Sequence, residues 1–199
     1  MSSTSELIIA LSEAGAKDGY TLSPESAFLL YAGLIGDTDR FKFSNTSPLT
    51  LQRAAVLLEQ GIAPHDLYTN LYKRDLALVR IEGYVLQHFK LVSRGVGVMR
   101  LTKEILAQFS ISSNDSARLI NCFSDVEGMI AWVFLIEEDE RIRVRLRSKG
   151  PVINTIAEEH NGGGHPLAAG ATACSWEEAE QIVEKLTEAV AAFSQKSTK

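Results

Sequence analysis

Asn161-Gly162-Gly163-Gly164-His165-Pro166-Leu167-Ala168-Ala169-Gly170 is the stretch on which the reading of this chain turns. Consecutive glycines are costly in backbone entropy, so three together imply a geometric use. They follow a helix-like run, residues 152–160, and precede small residues, 168–173, suited to a close-packed strand. A loop of this kind lets bare N–H groups approach an anion with no Cβ in the way. His165 at its end adds a ring nitrogen able to donate to a phosphate oxygen. The competing structural reading is a flexible helix-to-strand turn with an incidental histidine.

Just upstream, residues 129–136 (Met-Ile-Ala-Trp-Val-Phe-Leu-Ile) form an unbroken apolar run, which predicts a central strand buried on both faces. After an acidic turn at 137–140, residues 141–147 alternate strictly. Ile142, Val144 and Leu146 face one way, and Arg141, Arg143, Arg145 and Arg147 the other. Same-face positions on a strand lie about 6.6 Å apart, near the phosphate spacing of an extended single strand. For Arg141 and Arg143 the expectation is an exposed strand whose charges deter edge pairing. Arg147-Ser148-Lys149-Gly150 reads differently. It ends the strand and leads through Pro151 toward the glycine loop, as a phosphate clamp would.

With 199 residues, 45% hydrophobic and 23% charged, the chain reads as a globular α/β protein with one large domain or two small ones. A formal charge of −5 excludes a general basic attraction for nucleic acid, so any such binding must be local. Cys122 and Cys174 match no metal or redox spacing. With no secretory signal and no apolar run long enough for a membrane span, the expectation is a reduced, cytoplasmic protein without membrane partners.

The first 70 residues read as helices. Ser3-Thr4-Ser5-Glu6 has capping-box spacing, Ser23-Pro24 opens an apolar helix over 25–34, and Ser47-Pro48 opens another to about residue 60. The second helix runs into Gly36-Asp37-Thr38-Asp39-Arg40-Phe41. A carboxylate leaving a buried helix must be paired, hydrogen-bonded or metal-bound. Arg40 is a possible ion partner for Asp37 and Thr38 a local cap; alternatively Asp37 is a hard-metal ligand. Asp39 has the same chemistry but is expected to point the other way in an extended segment. Residues 71–89 read as a connector helix, and 71–100 are the basic part, with Lys73, Arg74, Arg80, Lys90, Arg94 and Arg100. Residues 90–195 then form a smaller mixed α/β domain. It has a hairpin at Arg94-Gly95, helices capped by Thr102 and by Asn114-Asp115, and a last helix opened by the capping box Ser175-Trp176-Glu177-Glu178.

Arg147-Ser148, then residues 152–157, then Gly162-Gly163-Gly164-His165-Pro166-x-Ala168-Ala169-Gly170 together resemble the DHH-associated C-terminal domain of the DHH phosphoesterases. Residues 31–46, centred on Gly36-Asp37-Thr38-x-Arg40-Phe41, resemble the last metal-binding motif of the DHH catalytic domain. Ser2-Ser3-Thr4-Ser5-Glu6 resembles that family's helix start. The match spans essentially the whole chain and is nearest to the nano-RNases, which degrade short oligoribonucleotides and dephosphorylate 3′-phosphoadenosine 5′-phosphate (pAp).

This resemblance implies a two-metal hydrolase in which two manganese ions activate water and clamp the scissile phosphate. It makes Asp37 a catalytic metal ligand. It assigns Arg147, Ser148, Gly162, Gly163, Gly164, His165 and Arg40 to holding short single-stranded RNA or a mononucleotide phosphate. Three departures stand out. Asp39 replaces the family's usual Gly, Arg145 stands where Ser is common, and no Asp-His-His occurs. One aspartate cannot hold two ions. The chain is therefore expected to be a C-terminal fragment, inactive alone, with a possible homodimer through its uncovered apolar helix. A cyclic-dinucleotide phosphodiesterase and a non-catalytic RNA-binding module are the alternatives; a relation to the C-terminal domain of alanyl-tRNA synthetases leaves Gly36-Asp37-Thr38 unexplained.

Overall fold

The computed structural model describes residues 3–93 and 95–197. The chain folds as two compact units, Met1–Lys73 and Arg74–Lys199. The first is helical: α1 (Thr4–Gly15), α2 (Pro24–Thr38), α3 (Pro48–Glu59) and α4 (Pro64–Leu71). The expected caps form, with Ser23 accepting from Ser26 N and Ser47 and Thr50 completing a reciprocal box. The helices enclose Ile9, Ala27, Tyr31, Leu34, Ile35, Ala54, Leu57 and Leu67. Leu29 is exposed, so α2 buries one side of its apolar surface within this unit.

At the N-terminus the capping-box expectation is half met. Ser3 Oγ accepts from Glu6 N, but the Glu6 carboxylate turns inward instead. There it is 1% exposed and accepts from Arg53 Nη1 and from Thr50 Oγ1, both at 3.2 Å. Arg53, 8% exposed, also reaches Glu13 at 3.1 Å. This pairing joins α1 to α3 through desolvated charge.

The second unit is a mixed six-stranded sheet in the order β1-β2-β3-β4-β6-β5: β1 (Lys90–Ser93), β2 (Val96–Leu101), β3 (Ala131–Glu137), β4 (Ile142–Ser148), β5 (Gly163–His165) and β6 (Ala168–Ala173). Only β2 and β3 run parallel; α6 (Lys103–Gln108) and a 3₁₀ turn (Asp115–Leu119) lie in the crossover between them. The expected helix over 116–123 is this short 3₁₀ turn, with Ser112 rather than Asn114 bonding its first N–H groups. β1 and β2 pair as the expected hairpin, although Arg94 lies outside the described residues.

The strand that reads as doubly buried is so. On one face Ala131, Val133 and Leu135 of β3 pack with Ile142, Val144 and Leu146, under α7 (Asn154–Glu158) and α8 (Trp176–Ser197). On the other, Trp132, Phe134 and Ile136 pack with Met99, Leu101 and Phe123. That second face is covered by α5 (Leu76–His88), whose Leu78, Ile81 and Val85 belong to this core. Of residues 71–89, which read as a connector, 71–73 fall in the first unit and 76–88 form α5, a covering element of the second.

Arg53→Ala removes the guanidinium paired with the buried Glu6 charge and is expected to lower the stability of the first unit by about 3–5 kcal/mol, read as a lower urea midpoint by circular dichroism. Arg53→Met combined with Glu6→Leu recovers most of that loss, because both charges go together.

Candidate functional site

β4 is an interior strand, paired to β3 on one side and β6 on the other. The edge-guarding expectation for Arg141 and Arg143 therefore fails: there is no edge to guard. Arg141 Nε and Arg143 Nη2 instead each meet Glu138 at 2.7 Å, and Arg143 Nη1 donates to Asn114 Oδ1 at 3.0 Å. Burial is the largest single influence on the half-buried Glu138 carboxyl and pushes it up, but these contacts and that of Ser113 together outweigh it and hold the group below its ordinary range.

The register assembles the rest of the ladder. Arg147 lies opposite Ala168, and Ala168 opposite His165, so the three form one row across β4, β6 and β5. Side chains in such a row leave the sheet on the same face. Arg147 and His165 are two strand spacings apart, roughly 10 Å. The next row is Arg145–Gly170–Gly163 and the third begins Arg143–Thr172. This is the face that α5 and α6 cover over β2 and β3. Over β4, β6 and β5 it presents arginines beside a floor of Ala168, Gly170, Thr172 and Gly163.

The three glycines do different work. Residues 163–165 are a strand, not the loop the sequence suggests, because they pair with β6. A Cβ on Gly162 would lie 2.0 Å from Gly170 O, and one on Gly164, at φ +139°, 2.6 Å from Ala168 O. Close packing against β6 demands both. A Cβ on Gly163 meets nothing within 4 Å, so its absence leaves open space above the row of Arg145. The expected helix over 152–160 shrinks to α7, and His160 anchors its end: buried, its Nδ1 lies 2.9 Å from Glu178 Oε1, while Glu178 Oε2 accepts from Cys174 N.

Among the described residues, neither Arg145 nor Arg147 has an acidic partner. Arg147 Nη1 donates only to the neighbouring Leu146 O at 2.8 Å, and Arg145 Nε is buried with no acceptor. Burial first, and the adjacent like charge second, pull each guanidinium below its ordinary value. Two half-desolvated, unneutralised cations on one face favour an anion. His165 is exposed at the end of its row.

Ser148 is not part of this face. It shares the parity of Ile142, Val144 and Leu146, is 8% exposed, and its Oγ accepts from Gly150 N at 3.0 Å. A cleft of about 760 Å³ lined by Lys103, Arg141 and the acidic residues 137–140 lies by the β3–β4 turn, at the opposite end of β4 from Arg147; its carboxylates disfavour phosphate.

In the first unit Asp37 sits exposed in the last turn of α2. Arg40 does not pair with it: the Arg40 guanidinium bonds Asp39 Oδ1 at 2.5 and 3.0 Å and stacks 5.1 Å from the Tyr72 ring centroid. Nor is Asp39 in an extended segment. Asp39, Arg40 and Phe41 all have positive φ (42°, 62° and 66°), an unusual left-handed run. Thr38 stabilises it by donating to Leu34 O at 2.7 Å and accepting from Phe41 N at 3.0 Å. Asp37 is thus exposed with a carboxylate that has no bonded partner among the described residues. Those residues contain no group of three or more His, Cys, Asp or Glu side chains arranged to hold a metal ion. Asp37 alone does not fit the manganese pair that the resemblance implies, so no step here runs through metal.

The features that sequence reading missed are Arg145, treated there as a departure, and the small-residue floor. The signal for the floor was present: Ala168, Gly170 and Thr172 share the period-two spacing of Arg143, Arg145 and Arg147. Gly162→Ala and Gly164→Ala are expected to cost roughly 1–3 kcal/mol or more in thermal unfolding, whereas Gly163→Ala stays within about 0.5 kcal/mol.

Residues 96–192 match the DHHA1 domain. The chain is 41% identical over 185 residues to the bifunctional oligoribonuclease and PAP phosphatase NrnA of Bacillus subtilis, covering 93% of this chain and 59% of that protein. It is 32% identical to the probable NrnA of Streptococcus mutans, again over 59% of the relative. The chain therefore spans about three-fifths of these relatives, corresponding to their C-terminal part. Among solved structures, an exopolyphosphatase-related protein from Bacteroides fragilis superposes with a TM-score of 0.84 at 32% identity, over 94% of this chain and 56% of that one. The strands β2 to β6 and most of α8 lie within the matched residues, so this part of the second unit, residues 96–192, is a DHHA1 domain.

Proposed function

We propose that this chain supplies the nucleotide-holding half of a phosphoesterase acting on short oligoribonucleotides and pAp, the activities named for its NrnA relatives. One observation carries this reading: Arg145 and Arg147 stand half-buried and, among the described residues, without acidic partners on the face that also presents Ala168, Gly163 and His165. A guanidinium offers a planar donor fork matched to phosphate oxygens. The small-residue floor lets a phosphate settle between that fork and His165. His165 donates to a phosphate oxygen from whichever ring nitrogen carries hydrogen, and holds the ligand without forming a bond to it.

Hydrolysis belongs to a longer protein in this proposal. Asp37 is there one ligand of a manganese pair, and the remaining ligands come from outside the present sequence. A cytoplasmic location accords with small RNA as substrate; no helix among the described residues is long and apolar enough to cross a membrane.

The test is equilibrium binding of 5′-phosphorylated diadenylate to the whole chain with chelator present. Arg147→Ala is expected to weaken binding at least tenfold and to reduce the slope of log affinity against log salt by about 0.7, the loss of one phosphate contact on a single strand. Unchanged affinity in Arg147→Ala, or no binding by the unaltered chain, overturns the reading. With manganese added, the chain alone is expected to turn over this dinucleotide no faster than background.

A further inference from the structure

We propose that Arg145 and Arg147 divide two phosphate groups between them, so that this face selects ligands bearing phosphates on both sides of one nucleoside over ligands bearing one. The inference rests on phosphate recognition at this face, as proposed above, and adds the residue that sets its specificity.

Three features of the ladder lead here. The first is capacity. Of the three arginines on β4, Arg143 is satisfied within the protein by Glu138 and Asn114. That leaves two guanidiniums to be neutralised from outside, not one and not three. The second is spacing. Arg145 and Arg147 leave the same face of one strand with Cα atoms about 6.6 Å apart. This is of the order of the separation between neighbouring phosphates on an extended single strand. A single phosphate centred on Arg147 leaves the Arg145 charge uncompensated beside it.

The third feature is access. The row of Arg145 crosses Gly170 and Gly163, neither of which has a side chain. A Cβ at Gly163 would meet nothing within 4 Å, and one at Gly170 only Val144 O at 3.5 Å. The row of Arg147, by contrast, is closed by His165. Each arginine therefore heads its own row, one closed by histidine and one without side chains beyond it. Arg145 Nε is buried with no acceptor among the described residues, so this side chain gains a partner by turning its guanidinium outward to a second phosphate.

Two pairs of ligands test this with the whole chain and chelator present: AMP against pAp, and unphosphorylated against 5′-phosphorylated diadenylate. The first pair places the added phosphate on a mononucleotide, the second on an oligonucleotide. The unaltered chain is expected to favour the doubly phosphorylated member of at least one pair by tenfold or more. Arg145→Ser, and Arg145→Gln with its longer side chain, are expected to reduce that ratio below threefold. Arg143→Ser removes a charge already neutralised by Glu138 and is expected to keep the ratio. A tenfold ratio surviving in both Arg145 variants, or one lost equally in Arg143→Ser, overturns the division of phosphates. So does binding of both members of each pair with no preference, which still leaves recognition at the face standing. Absence of all binding by the unaltered chain overturns both inferences together.

Discussion

The antiparallel register of β4, β6 and β5 is the constraint on which the candidate site depends. Because strand parity is binary, a slip of one residue in β6 would send Gly170 to the core and Ala169 to the arginine face. The register is held from the buried side. Ala169, Ala171 and Ala173 pack with Ile142, Val144 and Leu146 beneath α7 and α8. Apolar packing on one face thus fixes which charged and small residues appear on the other.

That coupling extends to the glycine-rich hairpin. Gly162 and Gly164 let β5 lie against β6 at a distance no side chain permits, and Gly163 leaves the working face open. His160 ties the approach to the hairpin to the start of α8 through Glu178, which also holds Cys174 N. The hairpin is accordingly anchored at its root by a buried polar link and along its length by close backbone packing. His165, exposed on the final residue of β5, is presented from a braced position.

Much of this was readable from the residues, for reasons that can be stated. The run 129–136 declared a strand buried twice over because nothing polar interrupts it, and the alternation at 141–147 declared its neighbour. Ser23, Ser47, Thr102 and Ser175 marked helix starts through local bonds that need no tertiary partner. The failures were non-local. Placing β4 inside the sheet depends on β6 returning to its far side. Ser148 shows the same limit: adjacent in sequence to Arg147, it faces the opposite way once the strand continues through it. Glycines carry little strand propensity, so β5 exists only through its partner. The left-handed run at 39–41 turns Arg40 onto Asp39, a geometry without a sequence signature, which is why Asp37 rather than Asp39 remains without a bonded partner.

The half-desolvated guanidiniums of β4 carry one further consequence. Each costs the free protein favourable hydration and returns nothing until an anion arrives, so occupancy and conformational stability are thermodynamically linked. If this face takes phosphate as proposed, the anion would add to the stability of the domain that receives it, and inorganic phosphate in a buffer would raise the unfolding midpoint by the same linkage.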